Sequence, residues 1–236
     1  MSKTPRTGFW ALCAVLAMKG GRVLILGVQR LAVLETPKTG SLALRAMLLP
    51  YTVPPHALPL PNEAARHVGH RGFVQKYAAP LAQAFGDALE TVAVVRAPLE
   101  RMQSWYRYRM RPRVADLPVS TRGTSFDAFM QAYLAGTGSQ MANLGRQDRF
   151  VGWTGRAARV DHVFAYDRLD LLEAFLSART GDVLTLPVRN MSPLSDGIDY
   201  ALSEAVLARY HAANAKEFAL YAAVSKTGYL QRAGLG

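Results

Sequence analysis

Two rhythms of apolar residues divide the chain. Short runs rich in β-branched side chains read as buried strands, and stretches with apolar residues every third or fourth position read as helices. The run at 31–35, Leu-Ala-Val-Leu-Glu, stops at Thr-Pro-Lys-Thr-Gly, and Leu42, Leu44, Met47 and Leu48 continue at helical spacing. Strand, loop and helix therefore follow one another. Between 50 and 61, five prolines in twelve residues exclude regular structure and predict an ordered loop or a lid.

Residues 73–89 are helical in pattern, with Pro80 as a break and Gly86 near the end. Thr91-Val-Ala-Val-Val95 is the second buried strand. Pro98 stands where a helix begins, and that helix is expected through 110. A polar loop at 111–124, a helix at 126–134 and an ambiguous stretch at 136–149 follow. Residues 161–166 read as a third strand feeding a helix at 167–178. Residues 184–190 look extended, and 200–224 carry one long helical pattern that contains Asn214. Strands alternating with helices predict a parallel sheet with helices on both faces. We expect one domain over 31–236, preceded by an N-terminal extension at 1–30.

Charge narrows the partner. Lysine and arginine outnumber aspartate and glutamate by 28 to 17, and the net charge of +11 sets up a field that attracts anions. Nucleic acid, an anionic membrane, a polyanionic glycan and a phosphorylated nucleotide all suit that field. The single cysteine, Cys13, excludes an internal disulfide framework and is compatible with a reducing compartment. The apolar run at 9–18, preceded by Lys3 and Arg6, has the charge pattern of a signal peptide. It falls short of the roughly 20 residues that cross a bilayer, and Lys19, Gly20, Gly21 and Arg22 interrupt it. A cytoplasmic location without membrane association is the expectation.

Thr36-Pro37-Lys38-Thr39-Gly40-Ser41 sits at the first strand-to-helix turn. Glycine lets the backbone approach an anion, the helix start offers unpaired N–H groups, and Lys38 adds a full charge. The usual triphosphate loop, G-x-x-x-x-G-K-[ST], is not matched, because position 35 is a glutamate and the lysine precedes the glycine. A second anion site follows the second strand. Arg96 leaves the same edge of the sheet, where ligands bind in doubly wound folds, and Ser104 in the following helix adds a hydroxyl.

Together these segments resemble the 3′-phosphoadenosine 5′-phosphosulfate (PAPS)-dependent sulfotransferases, in particular the broad family of carbohydrate sulfotransferases and their bacterial relatives. There a P-K-[ST]-G-type loop holds the 5′-phosphosulfate, and an arginine and a serine spaced as Arg96 and Ser104 hold the 3′-phosphate. Pro98, Arg101 and Tyr106 also fall on the R-x-P-x-x-R-x-x-S-x-Y pattern. The likeness continues more weakly through Phe164-Ala-Tyr-Asp-Arg-Leu169 and Pro187-Val-Arg-Asn190-Met-Ser192. One departure is that Leu42 and Ala43 follow Ser41, where many relatives place further hydroxyl residues.

The resemblance implies a three-layer α/β fold of P-loop type with a central parallel sheet. It also implies transfer of a sulfuryl group from PAPS to a hydroxyl, without a metal. Pro37, Lys38, Thr39, Gly40, Ser41, Arg96 and Ser104 would bind the nucleotide, and Lys38 would neutralise the leaving phosphate. Relatives carry a Gly-His pair between the two motifs, which assigns the general base to His70; a histidine suits proton removal near neutral pH. Glu35 and Glu63 are the alternative bases, Glu35 reading more naturally as a strand-end residue that orients the lysine loop. Arg71 reads as a contact for an acidic acceptor or as a solvated residue. Trp105, Tyr106 and Tyr108 read as helix-packing residues. The acceptor is left open, with an anionic saccharide favoured by the charge; nucleic acid is not expected as a partner. Two other readings stand beside this one. A metal-dependent phosphotransferase of P-loop type would need an acidic metal ligand after a strand, for which Asp161 is a poor candidate. A non-catalytic basic module would spread its charge over one face.

Overall fold

A computed structural model describes residues 23–53, 67–136, 138–187 and 197–232. Its centre is a five-stranded sheet in the order β1-β2-β3-β4-β5, formed by β1 (Val23–Leu26), β2 (Leu31–Leu34), β3 (Glu90–Val95), β4 (His162–Ala165) and β5 (Tyr229–Gln231). The inner strands β2, β3 and β4 run parallel, with Leu31 opposite Glu90 and Val92 opposite His162. Both edges run antiparallel, so the sheet is mixed rather than wholly parallel. The reason at the first edge is local: residues 27–30 are too few for a crossover, and so short a turn joins only antiparallel neighbours. Residues 23–30 thus lie in the sheet and its hairpin.

Side-chain alternation sorts the strands onto two faces. Ile25, Ala32, Leu34, Ala93, Val95, Val163 and Ala165 point to one. Phe73, Tyr77 and Leu81 of α2 (His70–Phe73), the turn that follows it and α3 (Ala79–Phe85) cover that face, with Leu220 and Val224 of α9 (Ala215–Ser225). Leu24, Leu26, Leu31, Val33, Val92, Val94 and Phe164 point to the other. There α1 (Ser41–Leu48) brings Leu44, Met47 and Leu48, and α7 (Leu169–Thr180) brings Leu172 and Leu176. Helices on both faces make three layers. A third cluster lies among the helices alone: Met102 and Tyr106 of α4 (Pro98–Arg109), Phe126, Phe129 and Met130 of α5 (Phe126–Ala135), and Val206 and Tyr210 of α8 (Glu204–Ala213).

Two expected helices carry defects with identifiable causes. Pro80 lacks the N–H that an uninterrupted helix would use, and residues Val74–Ala78 widen into a π turn just before it. The long pattern at 200–224 divides into α8 and α9 at Asn214, whose backbone (φ −115, ψ 22) leaves the helical region. Its buried side chain replaces the lost continuity, accepting from the Tyr133 hydroxyl at 2.9 Å and donating to Tyr210 O at 3.0 Å. The break starts α9 at a point that buries Glu217 beneath α6 (Gln147–Phe150).

Among the described residues no helix is long and apolar enough to cross a membrane. The apolar run at 9–18, most of the proline-rich stretch, Glu63 and residues 188–192 of the weaker resemblance lie outside the described residues.

Candidate functional site

The loop after β2 is tied down from three directions. Glu35 is buried at the strand end and pairs with Arg45 of α1, whose Nε donates to Oε1 at 3.1 Å. The Thr39 hydroxyl donates to Thr36 O at 2.8 Å. His67 sets a ring nitrogen, Nδ1, 2.9 Å from Glu35 O. Between these ties the backbone turns left-handed twice, at Lys38 (φ 70) and Gly40 (φ 77). Glycine adopts that region freely, whereas a lysine held there stores roughly 1–3 kcal/mol of strain.

Gly40 is the N-cap of α1 and has no side chain with which to cap it; Ala43 N and Leu44 N turn back onto Gly40 O. The N–H groups of Ser41 and Leu42, at the first two helical positions, therefore face outward at the positive end of the helix. Pro37 and Ser41 are half-buried on either side of the turn.

The second motif meets this loop across two aromatic contacts. Tyr166 lies 3.4 Å from where a Cβ on Gly40 would sit, and the Arg96 guanidinium stacks on the same ring at 4.4 Å. Lys38 Nζ lies 4.1 Å from the centre of the Tyr108 ring and 5.5 Å from that of Trp105, both on α4. Ser104 is half-buried one helical turn before Tyr108, on the same side of α4. Lys38, Gly40, Arg96 and Ser104 thus gather at one edge of the sheet.

The field there is positive and poorly compensated. Burial lowers the Lys38 ammonium from its ordinary value to about 7, and Arg111, Arg107, Arg96 and Arg113 push it the same way. Arg96 pairs with Glu100 at 3.2 Å, and Arg107 donates to the Tyr200 hydroxyl at 2.8 Å. Neither Lys38 nor Arg107, Arg111 or Arg113 has a carboxylate within ion-pair distance among the described residues. A cluster of cations left in that condition is suited to hold an anion with several negative charges.

Arg96 is also fixed from behind. Gln147 Oε1 accepts from Arg96 N at 2.8 Å, and Gln147 Nε2 donates to Arg96 O at 2.8 Å and to Glu217 Oε1 at 3.0 Å. Glu217 in turn sits 2.9 Å from the buried Arg101. The motif's Arg101 therefore belongs to the support, and Tyr106 to the helical core.

His70 lies three residues beyond His67. It opens α2, and the charges that act on it are Asp161, Arg159 and Arg232; burial and the two arginines lower its pKa against the opposing pull of Asp161. Asp161 accepts from Thr91 N and the Thr91 hydroxyl, both at 2.7 Å, and pairs with Arg232 at 2.8 Å. His67 is the histidine that stands against the lysine loop. Arg71 lines a cleft of about 340 Å³ with Arg146, Arg149 and Phe150, and this cleft includes neither Lys38 nor Arg96.

No motif in the sequence marks Gln147 or the arginines at 107, 111 and 113, and Trp105 and Tyr108, which read there as helix-packing residues, face Lys38 instead. The recurrence of arginine at every second position from 107 to 113 was the available signal. Comparison of the chain with models of protein families, with curated proteins and with solved structures found no match.

Proposed function

We propose that the protein is a sulfotransferase of P-loop type that moves the sulfuryl group of PAPS onto an acceptor hydroxyl. The observation that carries this reading is the meeting of the two motif segments: Lys38 rests on the helix that bears Ser104, and Arg96 and Gly40 share the Tyr166 ring. Two anion positions at one sheet edge suit a nucleotide phosphorylated at both its 5′ and 3′ positions. The uncapped N–H groups of α1 and Lys38 would take the 5′ side, and Arg96 with Ser104 the 3′-phosphate.

The reaction needs little covalent chemistry from the protein. The acceptor oxygen forms a bond to sulfur, and the bond from sulfur to the 5′-phosphate oxygen breaks. Its electron pair stays on the phosphate, beside Lys38, and the acceptor proton passes to a base. His67, whose ring nitrogen stands against the loop at Glu35 O, is the first candidate for that base, with His70 the second.

Calorimetric titration with adenosine 3′,5′-bisphosphate (PAP), ADP and ATP, without metal, tests the reading. PAP should bind at least about tenfold tighter than ADP, because a charge-assisted contact to the 3′-phosphate contributes roughly 1.5–3 kcal/mol. Equal affinities for PAP and ADP overturn it.

A further inference from the structure

We propose that the three cations around the Tyr108 ring, Lys38, Arg111 and Arg113, form a subsite for an anionic group on the acceptor. The acceptor is then an acidic alcohol, bearing a carboxylate, sulfate or phosphate near the hydroxyl that receives the sulfuryl group. This rests on the sulfotransferase reading for the identity of the neighbouring ligand, and on geometry for the site.

Lys38 Nζ lies 4.1 Å from the ring centre, and the guanidinium carbons of Arg111 and Arg113 each lie 5.1 Å from it. Arg113 Nη2 also donates to the Tyr108 hydroxyl at 2.9 Å, which orients its guanidinium. Cation–π attraction at a partly exposed ring is weak, and it does not remove the repulsion among three like charges. The low pKa of Lys38 is due first to burial and then to that repulsion, in which Arg111 is the largest contributor. Arg109 provides the contrast within the same segment: it is buried and spends its guanidinium on Gln140 O and Met141 O, the pattern of a structural arginine. Arg111 and Arg113 have no such carbonyl contacts among the described residues. Beside them the Trp105 indole N–H is buried without a hydrogen-bond acceptor among the described residues, a further donor next to Lys38.

The position separates the two arginines of this cluster from Arg96. Arg96 precedes α4, whereas Arg111 and Arg113 follow it, and a twelve-residue helix is about 18 Å long. Lys38 is the shared member, facing the 5′ side of the nucleotide and the two trailing arginines alike. An acceptor anion held by Arg111 and Arg113 would set its hydroxyl beside the sulfuryl group.

The test uses the full chain loaded with PAP or with PAPS, and inorganic sulfate as the probe, titrated at constant ionic strength. Sulfate should bind both loaded forms. Arg111→Ala/Arg113→Ala should weaken sulfate at least about tenfold while PAP affinity stays within about threefold, and Arg111→Lys/Arg113→Lys should restore part of the loss. Competition by acetate, methyl sulfate or methyl phosphate identifies the preferred oxyanion. Unchanged sulfate affinity in the alanine variant overturns the proposal, as does a tenfold loss of PAP, which would assign the arginines to the nucleotide. Sulfate that binds the PAP form but not the PAPS form also overturns it, because the ion would then occupy the sulfuryl position. A wild-type chain that binds no PAP but holds sulfate through the same two arginines removes the nucleotide reading and keeps the anion site.

Discussion

The side-chain amide of Gln147 pairs with the peptide of Arg96 on both sides, accepting from its N–H and donating to its C=O, each at 2.8 Å. It mimics one rung of a sheet ladder where β3 has run out of neighbours, and so fixes the direction in which Arg96 leaves the strand. Gln147→Leu would leave those two groups without their partner and remove one of the donors to Glu217 Oε1, which keeps Arg101 and the backbone N–H of residue 147. We expect a loss of roughly 3 kcal/mol in urea unfolding and a larger fall in affinity for PAP than for ADP. A variant that is destabilised but keeps its PAP-to-ADP ratio would show that Gln147 supports the fold without orienting Arg96.

Binding of PAP should take up a proton. Lys38 titrates at about 7 in the free protein, and a phosphate beside it favours the ammonium, so its pKa rises in the complex. Affinity should therefore be greatest below about pH 7 and fall toward about pH 9, approaching about one decade per unit. PAP itself is largely ionised above its phosphate pKa of about 6. Heats measured in two buffers of different ionisation enthalpy should differ at the same pH; identical heats and a flat affinity profile would rule the coupling out.

Lys38→Gly should make the protein more stable and less able to bind. It relieves the left-handed backbone and removes a cation lodged among others. A gain of about 1 kcal/mol corresponds to a rise of about 2–4 °C in Tm for a chain of this size. The pKa of Lys38 is depressed on folding from 10.5 to about 7, so its charge opposes folding fully below the lower value. The gain should accordingly shrink as pH rises toward 10.5. PAP affinity should drop at least about tenfold. A fall in Tm at neutral pH would mean that the contacts with Tyr108 and Trp105 outweigh the strain.

The two histidines can be separated by turnover, assayed with labelled PAPS over a panel of hydroxyl compounds. His67→Ala should lower the rate by about 10²–10⁴, the range for removing a positioned base, with PAP affinity nearly intact. His70→Ala should keep most activity. The reverse pattern would return the proton to His70.

What the sequence made legible was local. The β-branched run at 91–95 and the turn at 36–41 announce themselves within a few residues, and the spacing from Arg96 to Ser104 is a property of one helix. Assembly was less visible. Val23–Leu26 is short and follows a longer apolar stretch, so nothing marks it as a separate strand until β2 pairs with it. Asn214 interrupts a pattern whose apolar spacing continues on both sides, and the break shows only through its bonds to Tyr133 and Tyr210. Gln147 falls in a stretch with no clear period. The meeting of Lys38 with Tyr108 joins residues seventy positions apart, which no local spacing encodes.

The clasp between Glu35 and Arg45 bears on the cost of binding. It joins the last residue before the lysine loop to the helix that follows it, and Thr39 is bonded to Thr36 inside the span. A flexible loop of this length would surrender roughly 1–2 kcal/mol of backbone entropy per residue when it closed on a ligand. Here that ordering belongs to folding, so an arriving anion meets N–H groups already aligned. The affinity of the loop should then be governed by charge and desolvation, with little change in backbone order between the free and bound states.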